Sequence, residues 1–105
     1  MVYTYNKLVR DKIVSNINSQ DGKNATYRIL NDEEYLCELN KKLIEESHEF
    51  IEENNIEELA DIMEVLESIM ELKNISWNEV RDIQNNKRIK RGGFKDKIYL
   101  ETVEE

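Results

Sequence analysis

Between Leu36 and Met70 the apolar residues fall at three- and four-residue steps with one interruption, and that spacing constrains the chain more than any other feature. From Asn31 to about Glu53, Leu36, Leu39, Leu43, Phe50 and Ile51 trace the stripe of an amphipathic helix. From about Ile56 to Leu72 a second stripe runs through Leu59, Ile62, Met63, Leu66, Ile69 and Met70. Asn31 or Asp32 caps the first helix, and Asn55 with Glu58 three residues later resembles a capping box at the start of the second. With so few residues between them, the helices fold back as an antiparallel hairpin, stripe against stripe. Proline is absent and there are three glycines, so the chain has few obligate breaks.

The remaining signals are shorter. Ser76-Trp77-Asn78-Glu79 is a capping box that opens a helix through Val80 and Ile83 to Arg91, where Gly92 and Gly93 end it. Lys7 to Ile17 reads as a short helix, and Asp21-Gly22-Lys23-Asn24 as a turn. Tyr27/Ile29 within residues 25 to 30 and Ile98/Leu100 within residues 97 to 103 alternate as strands do, which predicts a small two-stranded ribbon. The expected fold class is therefore all-α: an antiparallel helical hairpin plus further helices, with that ribbon added. At 105 residues the chain suits a single domain over 1–105. With 39% hydrophobic and 36% charged residues the core must be thin, so a second copy is expected to cover what one copy cannot bury. Tyr27, Tyr35, Trp77 and Phe94 are read as core fillers rather than base-stacking platforms.

Charge is segregated along the chain. Residues 1 to 30 carry five Lys/Arg against two acids, 31 to 72 two against fifteen, 73 to 97 eight against three, and the last eight residues hold three acids. An acidic centre between basic flanks suits a cation and the phosphates that follow it, and argues against nucleic-acid binding. No stretch approaches the roughly 20 apolar residues of a membrane span, and the start lacks a signal peptide's apolar core, so a cytoplasmic protein is expected. Cys37, the only cysteine, excludes an internal disulfide and a cysteine-rich zinc site and is expected to pack rather than react.

Each helical residue turns about 100°. Measured from Leu43, Glu46 lies at about −60° and Glu49 at about −120°; measured from Leu66, Glu58 lies at about −80° and Asp61 at about −140°. A two-fold axis perpendicular to an antiparallel pair leaves equal offsets on the same side, so the four carboxylates converge near the turn. Packed together they would raise one another's pKa unless something positive sits among them. An all-oxygen set suits Mg²⁺, or Mn²⁺, rather than zinc. The competing reading is a solvated acidic face, with Glu58 serving only as the capping-box acid. His48 falls near 140°, on the outer face, and is read as solvated.

Lys87, Arg88, Lys90 and Arg91 precede Gly92-Gly93, placing cations and an adaptable backbone at a helix end, where polyphosphate can be gripped. Complementing the helix dipole is the simpler use of such residues. Lys7, Arg10 and Lys12 form a second basic group, in which Arg10 and Asp11 can equally make an ion pair.

Glu45-Glu46-Ser47-His48-Glu49 followed by Glu58-Leu59-Ala60-Asp61 resembles the ExxE and ExxD motifs of the MazG-like nucleotide pyrophosphohydrolases, a superfamily that includes phosphoribosyl-ATP pyrophosphohydrolase. Asn6 to Lys12 and Lys90-Arg91-Gly92-Gly93-Phe94 also match one compact branch, so the resemblance covers nearly the whole chain. It implies an all-α fold, Mg²⁺ dependence, hydrolysis of a nucleoside triphosphate to the monophosphate and pyrophosphate, and a homodimer or homotetramer. Carried onto this chain it makes Glu46, Glu49, Glu58 and Asp61 metal ligands and Lys87, Arg88 and Arg91 phosphate contacts, with Lys7 and Arg10 as further basic candidates. Glu45, beside Glu49 on the helix face, is the candidate to take the proton of the attacking water. The rival readings are a non-catalytic helical oligomer that binds a nucleotide or a protein partner, and a different metal-dependent phosphohydrolase.

Overall fold

The computed structural model describes residues 1–105 and shows four helices and no strand: α1 (Ile13–Ser19), α2 (Asp32–Glu53), α3 (Ile56–Leu72) and α4 (Trp77–Arg91). The expected all-α architecture is what forms. The chain divides into two compact units, Met1–Lys73 and Asn74–Glu105.

In the first unit α2 and α3 pack against each other. Asn31 caps α2 by accepting the backbone N–H of Glu34 at 2.9 Å, and Asp32, Glu33 and Glu34 place acids in the first turn, where the helix dipole favours them. The helix runs about 33 Å before Asn54 ends it in the left-handed region, at φ 53, with its N–H donating to the Phe50 carbonyl. Asparagine tolerates this conformation, and it turns the backbone directly into the next cap. Asn55 accepts the N–H of Glu58 at 3.0 Å and opens α3, about 26 Å long. Only Asn54 and Asn55 separate the helices, so the pair is antiparallel. Leu39 and Val65, 3% and 9% exposed, are the buried hydrophobic residues, and both belong to this hairpin.

In the second unit the capping box of α4 is complete: Ser76 Oγ accepts from the Glu79 N–H at 3.2 Å, and Glu79 Oε2 accepts from the Ser76 N–H at 3.3 Å. Gly92 ends the helix at φ 79, with its N–H bonded to the Arg88 carbonyl at 2.8 Å. A side chain there would strain the backbone. Arg88, Lys90 and Arg91 occupy the last turn, where cations complement the dipole.

Four expectations need correction. The short N-terminal helix spans Ile13–Ser19 and not 7 to 17, because Asn6 takes a positive φ of 46 and Arg10 to Ile13 close a turn instead. The ribbon does not form: neither 25–30 nor 97–103 is a strand, and Lys97 turns through φ 59 with its N–H bonded to the Phe94 carbonyl. Alternation supplies a strand's faces but no partner, and an isolated two-stranded ribbon is marginal in water. Tyr27 and Phe94 are exposed rather than core residues, whereas Tyr35 and Trp77 are half-buried. Cys37 is exposed too.

Candidate metal centre

The centre grows from the two caps. Because only Asn54 and Asn55 separate the helices, Glu49 and Glu46, five and eight residues before Asn54, and Glu58 and Asp61, three and six residues after Asn55, all lie near the turn end of the hairpin. Glu46, Glu58 and Asp61 each bring a carboxylate oxygen within 4.8 Å of the other two, and all three are half-buried. Glu49, also half-buried, stands beside this triad rather than in it, yet its charge acts on both Glu46 and Glu58. Of the four carboxylates expected to converge, Glu46, Glu58 and Asp61 meet and Glu49 lies outside their group.

Two atoms define the electrostatics. Glu46 Oε2 and Glu58 Oε2 are fully covered, and neither finds a hydrogen-bond donor. A covered acceptor without a donor bears its full desolvation cost. Burial, ahead of any neighbouring charge, pushes the Glu46 carboxyl up to about 7, with the Glu49 charge, a Glu49 hydrogen bond and the Asp61 charge adding to it and Lys42 opposing. Glu58 is raised in the same sense, first by burial and then by Glu49 and Asp61, while a hydrogen bond with Glu46 works against the rise. Ionised carboxylates are all acceptors, so these bonds exist only where a proton is shared. Above the Glu46 range that proton leaves, and the like charges of the cluster then face one another.

The capping reading of Glu58 accounts for only half of that residue. Its N–H serves Asn55, but its side chain does not complete a box as Glu79 does in α4; one of its oxygens is left covered within the acidic group. The donor set is hard and all-oxygen, as Mg²⁺ and Mn²⁺ require. Three carboxylate oxygens within 4.8 Å of one another are near enough that Glu46, Glu58 and Asp61 would share one such cation after side-chain adjustment. The residues fit the group.

Arg10 is where the structure adds most to the sequence. Its guanidinium donates to Asp61 Oδ1 at 2.7 Å and stands 3.7 Å from Glu64 Oε1, so Arg10 pairs with acids of α3 and not with Asp11, the alternative that the sequence left open. Nothing in local spacing connects residues 51 positions apart. Lys42 Nζ lies 3.5 Å from Glu45 Oε2, one turn before the acids, a link readable from its three-residue spacing. Lys7 lies over the Tyr5 ring, 5.9 Å from its centroid. Arg28, which the sequence did not single out, grips Glu34 through two bonds of 3.2 and 2.8 Å beside a shallow cavity of about 340 Å³ that Cys37 also lines. That pairing holds the Glu34 carboxyl below its ordinary range and raises Arg28.

Lys87, Arg88 and Arg91 belong to the second unit, on the last turns of α4. All three are exposed, and Arg88 with Gly93, Phe94 and Lys95 lines a shallow hollow of about 540 Å³. His48 is exposed, as expected of the outer face. No helix is long and apolar enough to cross a membrane. Comparison with known protein families, with curated proteins and with solved structures finds no match to this chain.

Proposed function

We propose that this chain holds Mg²⁺, or Mn²⁺ in its place, between Glu46, Glu49, Glu58 and Asp61, and that it hydrolyses a nucleoside triphosphate to a nucleoside monophosphate and pyrophosphate. One observation carries the reading: two covered carboxylate oxygens, on two helices, lack any donor inside a cluster of three acids with Glu49 beside it. The likeness of the acidic motifs to MazG-like pyrophosphohydrolases supplies the reaction, and the hard oxygen set supplies the cation class.

When bound, the ion supplies Lewis-acid activation of a water and neutralises charge on phosphate oxygens. The chain's part is positional. Glu46, Glu58 and Asp61 fix the ligand oxygens on rigid helices, and Glu49 completes the set from α2. The water oxygen bonds to the α phosphorus as the bond from that phosphorus to the bridging oxygen breaks, and pyrophosphate carries that oxygen away. Glu45, whose Oε2 is paired with Lys42, takes the water's proton on its other oxygen. The resemblance names Lys87, Arg88 and Arg91 as candidate phosphate contacts, a role for which exposed Lys and Arg are suited.

A second reading has one observation in its favour. Arg10 already places a positive charge 2.7 Å from Asp61, which partly neutralises the cluster and suits a helical protein that binds a nucleotide or a partner without turnover. A panel of canonical and modified nucleoside triphosphates, incubated with Mg²⁺ and resolved by product, separates the readings. Pyrophosphate and monophosphate support hydrolysis, orthophosphate points to another phosphohydrolase, and binding without products sinks the enzymatic proposal.

A further inference from the structure

Glu64 carries a charge to which neither the acidic motifs nor the basic groups assign a part. It stands on α3 one turn beyond Asp61, a three-residue step that puts the two side chains side by side on the helix surface. Arg10 reaches both of them from the segment before α1: its Nη2 lies 2.7 Å from Asp61 Oδ1 and its Nη1 3.7 Å from Glu64 Oε1. The first contact has the length of a charge-assisted hydrogen bond, and the second is too long by about 1 Å. Arg10 is the only cation paired with Glu64.

The backbone of Arg10 is anchored while its side chain is open to water. Its carbonyl accepts the Ile13 N–H at 3.1 Å and closes the turn that leads into α1, whereas the side chains of Arg10, Asp61 and Glu64 are 59%, 38% and 53% exposed. Side chains so exposed change rotamer readily.

We infer that Glu64 is a positioning residue of the metal centre: it takes the Arg10 guanidinium from Asp61 when a divalent cation binds, and so releases the Asp61 carboxylate to act as a ligand. The inference rests on the metal reading above. A divalent ion among Glu46, Glu58 and Asp61 repels a guanidinium held on the same Asp61 carboxylate. Driven into water, Arg10 gives up a charge-assisted bond; received by Glu64, it exchanges one carboxylate for another. A group that holds Arg10 more closely in the metal-bound arrangement than in the free one tightens metal binding by that difference. Without Glu64 the ion has to strip Arg10 from its last acidic partner.

Calorimetric titration of Mg²⁺ into the wild type, Glu64→Gln, Arg10→Gln and the double variant tests this. Removing a negative charge near an ion weakens binding by itself, but the role assigned to Glu64 exists only while Arg10 is present. Glu64→Gln is therefore expected to weaken Mg²⁺ binding about tenfold when Arg10 is in place. With Arg10 already replaced, the same change is expected to cost less than about twofold. Equal losses in the two backgrounds, or no loss in either, overturn the inference. A wild type without saturable binding overturns the metal reading and this inference together, whereas a wild type that binds leaves the metal reading standing however the cycle falls. Should a variant lose its helical signal, the guanidinium Nε–H resonance of Arg10 in the wild type decides. It is expected to shift in step with Mg²⁺ saturation, and a resonance that Mg²⁺ leaves unmoved overturns the inference.

Discussion

The acidic face of the hairpin and the basic end of α4 hold their charges in opposite ways. At the end of α4, Lys87, Arg88, Lys90 and Arg91 stand in open water at the helix terminus that favours them, and the capping box at the other end closes on itself. On the hairpin, Glu46 and Glu58 each keep an oxygen covered and without a donor, and like charges press on them from Glu49 and Asp61. The first arrangement is complete in water. The second leaves two covered acceptors without a donor.

The strongest way to break this comparison is at the ligands. Glu49→Gln and Asp61→Asn are each expected to reduce Mg²⁺-dependent pyrophosphate release by more than about 100-fold, since even changes behind a metal's ligands cost 10- to 100-fold. Far-UV circular dichroism should show the helices retained. Replacing Arg88 and Arg91 by Ala should instead weaken nucleotide affinity and leave Mg²⁺ binding alone; equal loss of Mg²⁺ binding in both sets would erase the distinction drawn between the two regions.

A pH titration of stability comes next in size. The unfolded chain ionises Glu46 near 4.5, whereas the folded protein holds that proton up to about 7, so the native state binds more protons across this window. Stability is therefore expected to fall as pH rises from 4.5 through about 7 and to level off above, by on the order of 1–3 kcal/mol after allowance for the partly exposed site. Urea unfolding at pH 5 and pH 8 measures it. Saturating Mg²⁺ should recover the loss at pH 8 and do little at pH 5, and a flat profile without metal would contradict the strain assigned to the cluster.

The smallest effects concern the frame. Asn55→Ala removes the cap that starts α3 and fixes the level of Glu58, and should cost about 1 kcal/mol by thermal unfolding. Ser76→Ala should cost α4 a similar amount without touching Mg²⁺ affinity. Arg10→Gln sharpens the hairpin side: with the ion pair to Asp61 gone, Mg²⁺ should bind several-fold more tightly in calorimetry, whereas weaker binding would make Arg10 part of the site's support.

Much of this was legible in the sequence because it is local. The ends of α2, α3 and α4 follow from Asn31, Asn55, Ser76 and Gly92, each acting within four residues, and the meeting of Glu46, Glu58 and Asp61 follows from helical spacing once the turn is short. What was missed is nonlocal or depends on coverage. Arg10 reaches Asp61 through a path no periodicity encodes. The alternation at Tyr27 and at Ile98 to Leu100 belongs to irregular segments, since strand pattern without a pairing edge does not make a sheet. Cys37, Tyr27 and Phe94 look like core residues by type, but in a chain this small only Leu39 and Val65 are buried.

Calorimetric titration of Mg²⁺ into the wild type and into Glu58→Gln at pH 8 tests the central claim most directly. Saturable binding to the wild type that is lost in the variant, with both proteins equally helical, is the expected result. The absence of saturable Mg²⁺ or Mn²⁺ binding to the folded wild type would show that the covered oxygens of Glu46 and Glu58 answer to no metal ion.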